Sequence, residues 1–204
     1  MILPLMWIST RITLYNQLCT ADRTACGRNA VGRLYGKGET IMAIRNIVKE
    51  GDPTLTKVCR PVEKFDDKLK TLLDDMYETM LDREGVGLAG PQVGILRRLF
   101  VIDIGDGLLE FVNPRILKTS GEQEGSEGCL SCPGEFGITK RPMYVTVEAY
   151  NREGDRFTLN AEGLLAKAIC HENDHLDGIL FKEHIIRKEE PFKPVAKVVK
   201  KKKK

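Results

Sequence analysis

Two stretches of the chain have the hydrophobic spacing of amphipathic helices. The first follows Asp66, a suitable N-cap, and runs until Gly85 interrupts it. Its apolar residues recur every three to four positions: Leu69, Leu72, Leu73, Met76 and Met80. The second stretch begins near Ala161 and stops near Gly178. The spacing predicts one helix with an apolar face in each stretch.

Short apolar runs and alternating segments between these helices predict strands. Residues 99–102 and 108–112 are apolar runs separated by Gly-Asp-Gly, a combination typical of a hairpin. Residues 143–150 alternate apolar and polar side chains, and residues 151–155 supply a turn before a further strand at residues 157–159. Because the strands run between two separated helices, the predicted fold class is α+β.

The sequence His-Glu-Asn-Asp-His at residues 171–175 carries the most informative chemistry. His171 and His175 are one helical turn apart, so both imidazoles can reach one metal ion. Glu172 lies between them, where it can act on a water molecule that the metal activates. The alternative is a solvated helix with two incidental histidines. Since the chain has only three histidines, this spacing favours a metal site.

A catalytic metal site of this kind needs a third protein ligand. In one large class of metallopeptidases the motif continues to a third histidine, but the corresponding residue here is Phe181. Glu189 and Glu190 lie in a charged tail region. Cys129, between glycines in what is predicted to be a tight loop, is the favoured third ligand. The alternative interpretation makes Cys129 and Cys132 a redox C-x-x-C pair.

A third motif is the glycine-rich stretch at residues 85–94. Its glycines allow close approach of the backbone to a ligand, and the Gln92 amide can donate a hydrogen bond to an oxyanion. Alone, this stretch also fits a helix stop followed by a loop. Its glycine spacing excludes a dinucleotide-binding fingerprint.

Together and in this order, the three motifs closely resemble those of peptide deformylases, from about residue 42 to residue 185. The resemblance implies an α+β fold with small mixed or antiparallel sheets packed around a metal-binding HExxH helix. It also implies a metal-dependent amide hydrolase that removes the formyl group from the formylmethionine terminus of newly made polypeptides and releases formate. The sequence departs from the usual pattern at Gly90, Cys132 and Cys170, none of which is a ligand or donor.

By position, the resemblance assigns catalytic roles. Glu172 would be the general acid and base, and Gln92 with the backbone N–H of Leu130 would donate to the oxyanion. The metal ligands would be Cys129, His171 and His175. The resemblance implies one divalent metal ion per chain, Fe²⁺ first and Zn²⁺ or Ni²⁺ as substitutes.

The resemblance also implies how the substrate, an N-formylmethionyl nascent polypeptide, would bind. The peptide would add as a strand alongside the backbone of Gly87. Its methionine side chain would enter an apolar pocket, for which Val86, Leu164 and Ala168 are candidates. Leu164, Ala168 and His171 share one face of the predicted helix.

Charge is distributed unevenly along the chain. There are 32 Lys and Arg against 29 Asp and Glu, a formal net charge of +3. Residues 1–41 carry +3 and Lys200–Lys204 carry +5, which leaves −5 for residues 42–199. This distribution excludes a basic nucleic-acid-binding domain, and no DNA partner is expected. Lys200–Lys204 could make weak contact with the ribosome or be a solubilising tail.

The predicted domain organisation has three parts. Residues 1–41 are expected to be an unstructured leader or sequence upstream of a natural start at Met42, with organellar targeting as an alternative. Residues 42–186 form the catalytic metallohydrolase domain, and residues 187–204 a charged, lysine-rich tail. No apolar stretch is long enough for a membrane-spanning helix. Six cysteines are too sparse for a disulfide scaffold, which favours a cytoplasmic protein of bacterial type.

Two other functions compete with deformylation. One is an HExxH metallopeptidase that cuts internal peptide bonds, which the phenylalanine at position 181 argues against. The other is a metal-stabilised, ribosome-associated binding module without activity. A structural metal normally has four protein ligands, so a site with three ligands and an open position favours an enzyme.

Overall fold

The structure is a computed structural model that describes residues 43–188. It contains two α-helices, α1 (Asp67–Asp82) and α2 (Gly163–Leu176). The strands are β1 (Gly87–Ala89), β2 (Leu99–Ile102), β3 (Leu109–Ser120), β4 (Gln123–Cys129), β5 (Cys132–Arg141), β6 (Tyr144–Tyr150), β7 (Arg156–Glu162) and β8 (Ile185–Lys188). Short 3-10 helices span Pro53–Thr56, Gly90–Val93 and Phe181–His184. This arrangement confirms the α+β class.

Helix α1 forms where the hydrophobic spacing predicts it. The Asp66 side chain accepts a hydrogen bond from the backbone N–H of Leu69 and so caps the first turn. After the helix ends at Asp82, the N–H of Gly85 donates to the carbonyl of Met80. The apolar face packs with residues of β1 and β2 into one of two hydrophobic clusters. Buried apolar side chains on this face are Leu69, Leu73, Met76 and Met80.

A five-stranded antiparallel sheet, in the order β1-β2-β3-β6-β7, lies between the two clusters. Strand β2 contributes side chains to both clusters. Leu99 and Val101 pack in the cluster of α1, whereas Phe100 and Ile102 pack in the cluster that contains α2 residues. Side chains of a strand alternate between its two faces, so a strand covered on both faces is apolar throughout. The predicted hairpin of β2 and β3 is confirmed.

A separate three-stranded antiparallel sheet, β4-β5-β8, corrects one prediction. Cys129 was expected in a tight loop, but it is the last residue of β4 and is paired with Cys132 of β5. Only Leu130 and Ser131 form the turn between them. The segment lacks apolar alternation because its pairing satisfies the backbone while few of its side chains enter a core.

Helix α2 starts slightly later than expected because β7 continues to Glu162, beyond the predicted residues 157–159. The strand remains paired with β6 up to that residue. Gly163 then takes a φ of +57°, a left-handed conformation that glycine adopts without strain, and the helix begins. The helix contacts β1, β2, β6 and β7 and buries both histidines of the HExxH sequence.

Some predictions concern segments outside the described part of the chain. The leader at residues 1–41, most of the tail at residues 187–204 and the lysines at its end fall there, so these remain predictions. Between residues 43 and 188, no helix is long and apolar enough to cross a membrane.

Candidate metal centre

Three predicted ligands meet where α2 passes the end of β4. The ligand atoms of Cys129, His171 and His175 all lie within 4.8 Å of one another. The Nε2 atom of His175 is 3.2 Å from the Sγ atom of Cys129. The two imidazole rings, one turn apart on α2, have centroids 5.1 Å apart. The fold therefore brings together residues that are more than forty positions apart in sequence.

A buried ion-pair network orients one of these ligands. The Nδ1 atom of His171 is 3.0 Å from a carboxylate oxygen of Glu127, which leaves the other ring nitrogen free for a metal. Arg141 donates to both oxygens of Glu127, at 2.8 and 3.1 Å, and Thr139 donates at 2.6 Å. Arg141 also donates to Asp174 at 2.6 Å. Hydrogen bonds from Arg141 and Thr139 thus fix the carboxylate that orients His171.

Neither Glu127 nor Arg141 is among the site residues predicted from sequence. The available signal is local: Glu127 stands two positions before the candidate ligand Cys129 on the same strand. Arg141 lies at the far end of β5, and only strand pairing brings it near the site. A metal-binding histidine commonly donates its second ring nitrogen to a carboxylate, so a glutamate near a candidate ligand is a reasonable search target.

Burial and neighbouring charges set the protonation of these groups. Burial, the charge of His171 and that of Arg141 lower the pKa of His175 to about 3, so its imidazole is neutral, the form that binds metals. Although burial opposes the charged form of His171, hydrogen bonds with Cys129 and Glu127 raise its pKa to about 10. Burial opposes ionisation of Glu127 as well, but hydrogen bonds from His171 and Arg141 hold its pKa well below its usual range.

Glu172 differs from Glu127 in its hydrogen bonding. It is 4% exposed, and its Oε2 atom has no hydrogen-bond partner among the described residues. Burial, reinforced by the charges of Glu127 and Asp174, raises the pKa of Glu172 to about 7. A Cβ atom on Gly87 would overlap this carboxylate, so only glycine lets β1 pass so close. The carboxylate is therefore positioned by packing and free to exchange a proton near neutral pH.

Gln92 lies in the 3-10 helix after β1 with its amide oriented by the backbone. The side-chain oxygen accepts from the N–H of Ala89 at 2.8 Å, so the NH₂ group points the other way. That group lies 3.4 Å from the Cys129 sulfur and 3.3 Å from the hydroxyl oxygen of Ser131. A side-chain donor thus faces the candidate metal centre. The turn residue Leu130 directly follows Cys129 and carries the second predicted donor, its backbone N–H.

The structure also places the residues that sequence analysis weighed and set aside. Phe181 is 1% exposed with its ring centroid 6.0 Å from that of His171, where it packs against the histidine. Cys132 and Cys170 are buried at 1% and 6% exposure, as expected for small apolar side chains. Burial raises the pKa of the Cys132 thiol to about 12 and that of Cys170 to about 11. Both thiols are therefore neutral and poor nucleophiles.

A cavity of about 550 Å³ opens beside the centre, which is ample for an amino-acid side chain and adjoining backbone. Its wall includes Gln92, Cys129, His171 and Glu172. All of the residues predicted for substrate binding line it as well: Val86, Gly87, Leu164 and Ala168. The predicted site residues other than His175 therefore line one cavity, and His175 lies behind its wall, with Nε2 3.2 Å from the sulfur of Cys129.

The donor set fits a divalent metal ion. One thiol and two imidazoles are ligands that suit Zn²⁺ and Fe²⁺ alike. The neutral His175 ring offers a nitrogen directly, and the oriented His171 ring offers one when metal binding releases its proton. Three candidate protein ligands, a glutamate alongside and an adjoining cavity on an α+β fold are the features of a metal-dependent hydrolase.

Comparison with known proteins identifies the family. A sequence model of the polypeptide deformylase family matches residues 44–191. The chain is 57% identical over 146 residues to a peptide deformylase of Acetivibrio thermocellus, covering 72% of this chain and 86% of that protein. It is likewise 57% identical over 147 residues to a peptide deformylase of Clostridium botulinum, covering 72% of this chain and all of that one.

Solved structures of peptide deformylases are also similar to this chain. The crystal structure of a peptide deformylase from Thermotoga maritima superposes with a TM-score of 0.69 at 41% identity, covering 70% of this chain and 97% of that one. A peptide deformylase from Legionella pneumophila superposes with a TM-score of 0.68 at 46% identity, covering 70% and 86%. The chain therefore belongs to the polypeptide deformylase family, metal-dependent enzymes that remove the formyl group from an N-terminal methionine.

Proposed function

We propose that the cluster of Cys129, His171 and His175 holds the catalytic metal ion of this deformylase. The observation that supports this assignment most directly is the 4.8 Å grouping of one sulfur and two imidazole ligands at the wall of the cavity. We propose Fe²⁺ as the native ion, with Zn²⁺ and Ni²⁺ as substitutes, because this donor set accepts all of these borderline cations. When bound, such an ion supplies Lewis acidity, which lowers the pKa of water and polarises a carbonyl group.

Glu172 is the proposed general acid and base. Its buried carboxylate lies beside the candidate ligands, and a pKa of about 7 allows it to take up and release a proton near neutral pH. It accepts a proton as water attacks the formyl carbon. It then returns a proton to the amine that leaves when the carbon–nitrogen bond breaks, so that formate and a free N-terminal methionine result.

Gln92 and Leu130 are the proposed donors to the formyl oxygen. The amide orientation set by Ala89 turns the NH₂ group of Gln92 toward the sulfur of Cys129, and both residues line the cavity. The N–H of Leu130 belongs to the residue directly after Cys129. Donors fixed in advance stabilise negative charge as it develops on the oxygen, without reorganisation during the reaction.

The substrate is proposed to bind along β1. This strand lies at the edge of the five-stranded sheet, so an extended peptide can pair with the backbone of Gly87. The methionine side chain then enters the cavity between Val86, Leu164 and Ala168. A structure of an Acinetobacter baumannii deformylase is described as bound to Met-Ala-Ser, a peptide with this N-terminal residue; it is 34% identical to this chain and superposes with a TM-score of 0.68.

Formate release tests the proposed activity directly. Protein purified without oxygen and loaded with Fe²⁺ is mixed with a formylmethionyl tripeptide, and formate is measured. We expect turnover that disappears on chelation and returns on addition of metal. The absence of formate from protein with a full complement of metal would overturn the proposal. Alternatively, cleavage of an internal peptide bond in an unformylated peptide would support the metallopeptidase.

Lys200–Lys204 carry a separate proposal, that of weak contact with ribosomal RNA. It rests on their charge and on a substrate that emerges from the ribosome, since these residues lie outside the described part of the chain. Replacing all five lysines with glutamine should reduce co-sedimentation with ribosomes at low salt and flatten its salt dependence. Unchanged co-sedimentation would contradict the proposal.

The proposed location follows from the substrate. Nascent formylated chains are made in the bacterial cytoplasm, and the compared relatives are bacterial proteins. The catalytic domain is proposed to span residues 42–186, with residues 1–41 as a leader and residues 187–204 as a tail. Amino-terminal sequencing of the protein from its natural source tests this division, and a mature start near residue 42 is expected.

A further inference from the structure

The two proposed oxyanion donors lie on separate segments, yet one short stretch of chain contacts both. The N–H of Val48 donates to the carbonyl of Gln92 at 2.8 Å. Two residues later, the N–H of Glu50 donates to the carbonyl of Ser131 at 2.9 Å, in the turn that contains Leu130. Residues 48–50 therefore connect the 3-10 helix after β1 to the turn between β4 and β5.

Lys49, between these two backbone contacts, reaches the turn with its side chain. Its ammonium group donates to the carbonyl oxygen of Leu130 at 2.8 Å. Lys49 also lines the cavity, so its charge lies on the side from which substrate approaches. Three consecutive residues thus hold the turn and the 3-10 helix by three hydrogen bonds.

The far end of this stretch is anchored to the same sheet. Lys182 pairs with the carboxylate of Glu50 and, at 2.7 Å, with that of Glu135 in β5. Glu135 lies on the strand that leaves the turn. The stretch is therefore held by the turn itself and, through Lys182, by the strand that leaves it, so a change at Lys49 need not release the whole segment.

We propose that Lys49 is a positioning residue that orients the Leu130 peptide for catalysis, an inference that rests on the proposed role of the Leu130 N–H. The ammonium group fixes the carbonyl of the Leu130–Ser131 peptide unit. The N–H of Leu130 belongs to the preceding unit, but the turn has only two residues between the paired Cys129 and Cys132, so fixing one unit restricts the direction of the other. Because Lys49 lines the same cavity, its positive charge also favours negative charge that develops there. Since Lys49 is exposed, solvent screens this charge and the effect is smaller than that of losing a donor.

Three variants test this proposal: Lys49→Met removes the ammonium group but keeps the length, Lys49→Arg keeps a charged donor, and Lys68→Met is a matched control. Lys68 is an exposed lysine on α1 that does not line the cavity. We expect Lys49→Met to lower kcat about tenfold while KM changes less than about twofold, because the interaction matters only in the transition state. Lys49→Arg should recover most of the loss, and Lys68→Met should match the parent protein.

Hydrogen exchange supplies a readout independent of turnover. In zinc-loaded protein, amides of the turn between β4 and β5 should exchange faster in Lys49→Met than in the parent protein, and not in Lys68→Met. Metal content and melting temperature are measured alongside, and both should stay near the parent values.

The outcomes separate this inference from the proposed function. If the parent protein releases no formate, the proposed function fails before Lys49 is tested. If the parent is active but Lys49→Met leaves kcat unchanged, the inference is overturned and the function stands. A change confined to KM would also overturn it, because it would show that Lys49 contacts the substrate.

Discussion

Two buried glutamates lie beside the candidate metal ligands, and they differ in their hydrogen-bond partners and in the direction of their pKa shifts. Glu127, on β4, is 6% exposed and accepts hydrogen bonds from Thr139 and Arg141 while it pairs with His171. Glu172, on α2, is 4% exposed, and its Oε2 atom has no hydrogen-bond partner among the described residues. Similar burial thus gives opposite pKa shifts, downward for Glu127 and upward to about 7 for Glu172.

This difference suits Glu127 to orienting a candidate ligand and Glu172 to proton transfer. A carboxylate whose oxygens are all engaged is held ionised and can only position its neighbours. A buried carboxylate without such partners is costly to the fold, yet it is the one that can exchange a proton near neutral pH. We therefore expect Glu127 variants to lose stability and metal affinity, and Glu172 variants to lose turnover.

The largest effect is expected for Glu172→Gln. Glutamine has nearly the same shape but cannot accept the proton, so kcat should fall by about 10²- to 10⁴-fold. Metal content should remain at the parent level. The melting temperature should stay the same or rise, because the variant no longer buries a poorly partnered carboxyl group.

Formate release at saturating metal and substrate, together with elemental analysis and thermal unfolding, checks this expectation. Replacing Glu162, an exposed glutamate directly before the same helix, with glutamine is a suitable control. A Glu172→Gln protein that keeps about a tenth or more of the parent kcat would remove Glu172 from the mechanism.

Glu127→Gln should show the reverse pattern. Among residues 43–188 it leaves the buried guanidinium of Arg141 with Asp174 as its one anionic partner, so the metal-free protein should lose about 3 kcal/mol of unfolding free energy. It also loosens His171, which should weaken metal binding about 10- to 100-fold. With metal in excess, kcat should fall much less than in Glu172→Gln.

Urea denaturation of the metal-free protein and competition with a chelator measure the two quantities. Glu148→Gln, which removes the partner that the exposed Arg115 and Arg156 share, is the matched control and should cost less than about 1 kcal/mol. If Glu127→Gln were as stable as this control, the hydrogen-bond network around Glu127 would not contribute to the stability of the fold.

How far the sequence predicts this molecule depends on whether the signal is local. Helix α1 is recognisable because its cap and its apolar positions lie within one stretch, and β2 with β3 because a Gly-Asp-Gly turn joins two apolar runs. The His171 and His175 pair is recognisable for the same reason, since one helical turn sets the geometry. These features need no knowledge of distant contacts.

Strands β4 and β5 escape prediction because they lack such a signal. They contain glycines, a proline and charged residues with little alternation, and they are defined by pairing with each other and with β8. The partners of Glu127 come from this pairing, since Arg141 lies 14 positions away in sequence. The contact of Lys49 with Leu130 spans 81 positions. Supporting residues of the site are thus long-range, whereas the proposed ligands stand in local motifs.

A smaller effect is expected for Thr139→Val, which tests one contact of the partnered glutamate. Thr139 is fully buried, and its hydroxyl donates to Glu127 at 2.6 Å. Valine fills the same space without the donor, so unfolding free energy should fall by about 1–2 kcal/mol, with kcat nearly unchanged. Thr146→Val, which removes an exposed hydrogen bond to Asn160, is the control and should cost less than about 0.5 kcal/mol. Equal losses in both variants, measured by urea denaturation, would mean that burial of the Glu127 contact adds nothing.

The smallest effect is expected at the outer end of the network. His184 Nε2 lies 3.0 Å from the Asp174 carboxylate that also accepts from Arg141, but the arrangement does not meet hydrogen-bond geometry. His184 is partly exposed, so His184→Gln should change unfolding free energy by no more than about 0.5 kcal/mol and leave metal affinity within about twofold. Competition with a chelator measures the metal affinity of the variant. A tenfold weaker affinity, a loss on the order of that expected for Glu127→Gln, would show that orientation of His171 depends on the whole chain of contacts through Asp174 and Arg141, and that Glu127 alone is not sufficient.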